Sequence, residues 1–437
     1  TMASGASSSA ATAGSCLHKR VSADNAGGAA SSCLHKRVSS RELSGTTKFK
    51  KTSAHQRFSH FQLAVEHDTH DPEVAKLQLS FLRKRSKIVE ILSAGDLVFA
   101  LTLSGVCAVF RGKRRVAFLN TTPDEVIRSI FFNKANQSII TVSVYRADNF
   151  SSLRCRTTPI EYLRRGKPDA GFALFEGECL KWPGFVEFDD VNGKVLTYSA
   201  NDKVYRVWEM TNYEQLYRLP EEEIAEIKIS PGIMLLILSR REGHVPLKLL
   251  SVENGATLHR FNHLLHRTKK VEFIEQFSQK LLVKQEGEAL QIVDVQSSSI
   301  IHVPETRFLT PTAFIFLYEN QTFLTFRNRY VSVWDFRGEM VTRFEDHVLW
   351  QPDSNTSNIY ITSTQDYILS YCRRPEGDAR SGGTINISSI SSGKCVAKLA
   401  AGDAMPQLHD VTSIFYNEER DELYVGTKSG MLYLWSL

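Results

Sequence analysis

Between residues 87 and 437 the chain repeats one texture. Short runs rich in Val, Ile, Leu, Phe and Tyr alternate with polar or Gly/Asn/Asp clusters every six to ten residues. Runs of this length, bounded by turn residues, read as β-strands rather than helices. They group in fours. Ile88–Leu92, Leu97–Thr102, Val106–Arg111 and Arg115–Leu119 form the first group. Val126–Phe132 and Ser138–Tyr145 open an irregular second one, and further groups begin at Phe185, Ile224, Lys270, Thr312 and Asn358. The last, Val411–Tyr416, Glu422–Thr427 and Met431–Leu437, has only three strands. Eight groups over this span average about 44 residues, the length of a four-stranded propeller blade. The expected fold is therefore an all-β propeller of eight blades, or of seven if the second group is misread.

The three-stranded last group sets a further expectation. A propeller closes securely when one blade takes strands from both chain ends, because that removes a seam of open edges. Phe61-Gln-Leu-Ala-Val-Glu66 alternates like a strand and stands unassigned ahead of the first group. It is expected to complete the last blade. Asp71–Leu82 is the one modest helical candidate.

Charge divides the chain differently from its sum of +5. Residues 1–57 hold nine Lys and Arg against two acids, a net of +7, whereas residues 58–437 hold 44 against 46. The division is a basic Ser/Ala-rich tail, expected to be disordered, on a nearly neutral propeller body. A basic tail on a neutral body does not point to direct nucleic-acid binding. No stretch of about 18 uncharged apolar residues occurs, so no membrane-spanning helix is expected. Seven cysteines, an odd number without a CxxC pair, point to a reducing compartment. The octapeptide SCLHKRVS occurs at Ser15–Ser22 and again at Ser32–Ser39. Its Lys-Arg-Val-Ser ending makes Ser22 and Ser39 candidate phosphosites, where a phosphate would add charge beside two cations. Arg83-Lys84-Arg85-Ser86-Lys87 fits a nuclear localisation patch, so the expected location is nuclear or cytoplasmic. The tail's composition leaves an organelle transit peptide as the alternative.

Several groups carry a Trp near the end of the third strand. Val195–Met210 reads VLTYSANDKVYRVWEM, and Ser199, Asp202, Trp208 and Glu209 sit where the WD40 repeat has a hydroxyl, a turn acid and Trp-acid. The terminal group resembles a whole WD40 repeat, with His409 before its first strand, Thr427 on its second and Trp435 on its third. Trp334-Asp335 supplies the literal dipeptide. The chain thus resembles a divergent member of the WD40 (transducin-like) propeller family. That resemblance implies a structural hydrogen-bonded set of His, Asp, Ser/Thr and Trp within a blade. The set is incomplete: Ser429 replaces the turn acid in the terminal group, and a half-made polar network contributes little. Trp208, Trp334 and Trp435 are therefore expected as core anchors.

Catalytic patterns are missing. G-x-S-x-G, the phosphate-binding G-x-x-x-x-G-K-[ST] and G-x-G-x-x-G do not occur. Glu66-His67-Asp68-Thr69-His70-Asp71 gathers potential metal ligands but reads as a polar linker. Asp189-Asp190 beside Asn192-Gly193 reads as a hairpin turn. No cofactor or metal is expected. Arg111-Gly-Lys-Arg-Arg115 spans a hairpin turn and is expected near Arg83–Lys87 on one blade; the two read first as ordinary exposed turn charge and alternatively as a combined patch suited to phosphate-rich or acidic partners. Trp334, Asp335 and Arg337 resemble the end of the box used by WD40 substrate receptors of cullin-4 ubiquitin ligases, although Asn328 stands where that box has Asp. The expected function is a non-enzymatic protein-interaction scaffold or adaptor. A ligase substrate receptor is one alternative and a propeller enzyme with a channel active site is another. Long loops at Arg146–Arg156, Arg164–Cys179 and Arg373–Gly383 are the expected working surfaces.

Overall fold

The structure is a computed structural model. It describes residues 54–70, 85–181, 184–199, 201–220, 223–230, 232–239, 244–266, 268–311, 313–317, 320–327, 330–344, 358–372, 383–400 and 406–437. Residues 1–53 of the tail, with Ser22 and Ser39, the helical candidate Asp71–Leu82, and Arg83 and Lys84 lie outside these residues, whereas the last four tail residues, Ala54–Arg57, are helical.

Among the described residues 32 strands form eight four-stranded antiparallel sheets. The fold is an eight-bladed β-propeller. The irregular second group supplies a complete sheet of its own: Glu125–Asn133, Ser138–Tyr145, Arg154–Pro159 and Phe172–Leu174. Its later strands are hard to see in sequence for two reasons. Arg154–Pro159 is mostly polar, and a short helix, α2 (Ile160–Arg164), separates it from a three-residue strand. The chain falls into two compact units, and the boundary runs through the third blade.

One unit comprises Lys51–Val186, Thr197–Asp202 and Phe344–Leu437. Here the strand ahead of the first blade does complete the last one. Gln62–Asp68 pairs antiparallel with Met431–Ser436, from Gln62 opposite Ser436 to Asp68 opposite Met431. This strand runs two residues further than expected, because His67 is buried and stacks on Phe110 with ring centroids 4.4 Å apart. Ahead of it a six-residue helix, α1 (Ala54–Ser59), drops Phe58 into the core of the seventh and eighth blades. Phe58 meets Phe61 edge-on at 5.3 Å and Tyr416 at 5.4 Å. Neighbouring blades share apolar sandwiches: Ile88, Ile91, Val98 and Phe110 pack on Tyr424, Leu432 and Leu434, and Leu97, Phe99 and Val109 pack on Ile127, Ile139 and Leu163. Alternate side chains of a strand face opposite sheets, so the first blade feeds both sandwiches. That explains why its second strand, Leu97–Thr102, is buried at every position.

The other unit holds Glu187–Leu196 and Lys203–Arg343 among the described residues. Leu235, Leu247 and Leu249 of the fourth blade pack on Ile274, Leu281 and Val283 of the fifth. Phe277, Leu282 and Ile292 of the fifth meet Phe316, Phe323 and Trp334 of the sixth. Polar ties reinforce the apolar ones: Tyr217 Oη donates to the Val252 carbonyl at 2.7 Å, and Lys228 Nζ lies 3.1 Å from Glu275.

The T-x-S-G turn recurs in two blades. In Thr102–Gly105 and Thr427–Gly430 the threonine Oγ1 donates to the carbonyl two residues past the serine, Val106 at 2.9 Å and Met431 at 3.0 Å. The glycines carry φ of +85° and +79°, a conformation that a side chain at those positions would strain.

Two outcomes are expected. Phe58→Ala removes a fully buried ring and should cost about 3 kcal/mol, read as a shift of the thermal or denaturant midpoint. A change below about 0.5 kcal/mol, the size of an ordinary surface substitution, would show that α1 is not an anchor. The second concerns pH. Burial lowers the His67 pKa below its usual 6.5, against an opposing hydrogen bond with the Gly112 backbone. A base that resists protonation only when folded contributes in full above about 6.5; the contribution is lost as pH falls from there toward the lower folded value. The thermal midpoint should drop between about pH 7.5 and 5.5, and His67→Phe should flatten that drop. Equal drops in both proteins would remove His67 as the cause.

Candidate functional site

The hairpin Arg111-Gly-Lys-Arg-Arg115 between the third and fourth strands of the first blade is exposed throughout. Helix α2 of the second blade stands against it. Ile160 and Leu163 of α2 are buried with Leu97, Phe99 and Val109, which turns Glu161 and Arg164 outward. Arg156 fixes the base of this insertion by donating to the Pro168 carbonyl at 2.7 Å and the Leu119 carbonyl at 2.8 Å.

One carboxylate joins hairpin and helix. Asp96 Oδ2 is 2.6 Å from Arg111 Nε, and its Oδ1 accepts from Arg164 Nε at 2.8 Å. Partial burial opposes its ionisation, yet the hydrogen bond from Arg164 and the charges of both guanidiniums hold its pKa below the ordinary carboxylate value. Glu161 is similarly taken by Arg165 at 3.1 Å and Arg164 at 3.4 Å. The face therefore exposes Arg111, Lys113, Arg114, Arg164, Arg165 and Lys167 around two acids.

The expected proximity of the two basic clusters is met in part. Arg115 stacks over Phe118 at 4.6 Å and donates to the His70 carbonyl at 3.0 Å, while Arg85 pairs with Asp68 at 2.5 Å. Both clusters thus touch the short segment 68–70, and Lys87 is half-buried. The insertion arginines Arg164 and Arg165 belong to this surface too. Sequence proximity could not reveal this, because Arg164 reaches the hairpin through Asp96, 68 residues away, and Arg165 is tied to it through Glu161.

The positions drawn from the WD40 resemblance fall on strands, turns and the loop before the last blade, and they are not joined into one set. Trp334 Nε1 donates to Thr325 Oγ1 at 2.9 Å in a buried pair. Thr325 carried no sequence signal, since its role depends on strand register. Asp335 Oδ1 accepts the amides of Arg337 and Glu339, each at 2.9 Å, and so shapes the turn. Of the three residues resembling a ligase box, Arg337 alone is exposed with no described side-chain bond, and Asn328 lies outside the described residues. Ser199 Oγ accepts the Cys179 amide at 3.3 Å, Asp202 is exposed and Trp208 is half-buried. Thr427 serves its own turn, and His409 is approached only through its carbonyl, by Tyr371 Oη at 2.7 Å.

Trp435 is 5% exposed, and its Nε1 has no hydrogen-bond partner among the described residues. Register explains the contrast. Phe323 faces Trp334, and Leu423 faces Trp435. Two residues on, the sixth blade has Thr325 and the eighth has Val425, on the same face of the strand.

The remaining candidates have structural roles. His67 is buried beneath Phe110, Asp68 is taken by Arg85, and Glu66 accepts from Gln407 at 3.3 Å. Asp189 accepts the amides of Val191 and Asn192 at 3.1 and 3.2 Å, the turn expected of it. Among the described residues no group of three His, Cys, Asp or Glu side chains is placed to hold a metal. The five described cysteines are unbridged. Cys107 is fully buried, and burial with the nearby charges of Glu90 and Glu125 pushes its thiol pKa well up, away from reactivity. The long loop at Arg373–Gly383 lies outside the described residues apart from Gly383. Arg146–Arg156 contains a 3₁₀ turn, Arg146–Asp148, and a bridge from Ser152 to Lys181.

Eight four-stranded blades, a terminal strand shared between chain ends and an arginine-rich insertion define this protein as an elaborated β-propeller. The sequence model of one family matches residues 46–435, and the chain belongs to that family, described as a domain of unknown function, DUF7899. No curated protein matches. Among solved structures the chain is similar to the computationally designed Ika8 protein, at 15% identity and a TM-score of 0.49 over 81% of this chain and 97% of that one. It is also similar to BamB from Moraxella catarrhalis, at 12% identity and a TM-score of 0.45 over 86% and 98% of the two chains.

Strand register predicts opposite effects of two substitutions. Thr325→Val orphans the Trp334 indole and should cost about 1–2 kcal/mol, whereas Val425→Thr gives Trp435 an acceptor and should stabilise by up to about 1 kcal/mol. Denaturant midpoints of both variants check this. If Val425→Thr destabilises by more than about 1 kcal/mol, the hydroxyl does not reach the indole.

Proposed function

We propose that this protein is a non-enzymatic interaction scaffold or adaptor, built on a divergent WD40-type propeller. The observation that carries the reading is the insertion in the second blade. Its apolar side is locked into the core by Ile160 and Leu163, its base is held by Arg156, and its exposed side presents Glu161, Tyr162, Arg164, Arg165, Lys167 and Phe172. A rigid framework bearing such an elaboration is suited to recognition, where preorganised side chains lose little entropy on binding. The WD40 component rests on the Trp334–Thr325 pair and on the terminal repeat. The partners proposed are other proteins. The site of action proposed is the nucleus or cytoplasm, on the strength of Arg83, Lys84, Arg85 and Lys87.

Affinity purification of the tagged full chain, followed by mass spectrometry and light scattering, tests the scaffold reading. Defined proteins should co-elute at fixed stoichiometry. Recovery of the chain alone, under conditions that preserve weak complexes, would sink it. For location, a fluorescent fusion should leave the nucleus when Arg83, Lys84 and Arg85 are changed to Ala. Processing of the tail with import into an organelle would replace this reading with a transit peptide.

A further inference from the structure

We infer that the basic face formed by the Arg111–Arg115 hairpin and α2 is a docking surface for an acidic segment of a partner protein; the inference rests on the scaffold reading. The charge is regional. Residues 85–181, the first and second blades, carry fifteen Lys and Arg against nine acids, a net of +6. The rest of the body from residue 58 carries 29 against 37, a net of −8. A body of nearly zero net charge thus concentrates its cations in one sector. Separated charge of this kind steers and orients an oppositely charged partner.

Two local features select a carboxylate-bearing polypeptide. First, the face already seats carboxylates between guanidiniums. Asp96 lies between Arg111 and Arg164, and Glu161 accepts from both Arg164 and Arg165. Arginine is the side chain whose planar fork suits such pairs. A phosphodiester backbone, with a charge at every step, would run across these two fixed anions. A peptide can space its acids around them. Second, the insertion exposes the rings of Tyr162 and Phe172, at 40% and 58%. Arginine and aromatic side chains together are the composition of protein–protein interface centres.

The test uses the full chain and two charge-reversal variants. Lys113→Glu/Arg114→Glu/Lys167→Glu alters exposed side chains outside the Asp96 and Glu161 pairs, and a thermal midpoint equal to wild type checks that folding is preserved. Arg218→Glu/Arg260→Glu, also exposed, controls for lost charge on the third and fourth blades. The probe is a fluorescein-labelled poly-glutamate peptide with one central Trp. Wild type should bind it, more weakly as salt rises from about 50 to about 200 mM. The triple variant should bind about tenfold more weakly, as reversal of charges at an interface predicts, and the control variant should match wild type. Absent binding, equal binding by both variants, or tighter binding of duplex DNA that the triple variant loses would each overturn the inference. Purification of all three proteins from cells separates the two readings. If wild type and control retain proteins that the triple variant loses, the face is the docking surface. If all three retain the same proteins, the scaffold stands and the docking surface falls. If wild type retains none, the scaffold itself fails.

Discussion

Six residue pairs between the strands Gln62–Asp68 and Met431–Ser436 join positions more than 360 apart in the chain. The rest of the eighth blade depends on that pairing, because Met431–Ser436 would otherwise present an open edge with an aromatic-rich face. Loop-closure entropy grows slowly with length, so a contact of this span costs little more than a much shorter one. The anchoring is hydrophobic as much as hydrogen-bonded. Phe58 and Phe61 enter the same cluster as Tyr416 and Trp435, and His67 continues the strand by stacking on Phe110.

Polar interiors follow a different economy in different blades. The sixth blade buries a completed Trp334–Thr325 bond. The eighth buries Trp435 beside Val425 and leaves the indole nitrogen unpaired among the described residues. An unmade buried hydrogen bond costs more than a made one contributes, so the eighth blade must draw its stability from packing. Its core is correspondingly the one that gathers the aromatic anchors of α1. The T-x-S-G turns of the first and eighth blades show hydroxyl chemistry moved from blade interior to blade end, where it fixes hairpins.

The basic face has the same logic of satisfied and unsatisfied groups. Asp96 neutralises one charge of the Arg111–Arg164 pair and, in doing so, holds two blades in one orientation. The cations beyond it, Lys113, Arg114 and Lys167, face solvent. Rigid support beneath and unspent charge above is the arrangement expected of a surface built for recognition rather than for stability, since exposed ion pairs contribute little to folding.

Strand period, blade count and the closing strand were legible in the residues themselves. Alternation and turn chemistry are local, and a repeat of fixed length writes them eight times. Asp189 in its hairpin turn was legible for the same reason. The second blade was blurred by a polar strand and an inserted helix, which suppress alternation. Pairings across the sheets were decided by tertiary structure alone. Thr325 finds Trp334 because strand register sets a hydroxyl diagonally opposite an indole, and Val425 fails Trp435 by the same register. Arg164 joins Arg111 because folding carries a distant Asp96 between them. Hydrogen bonds and ion pairs are specified by angstroms, which a one-dimensional pattern does not contain; hydrophobic periodicity is specified by residue order, which it does.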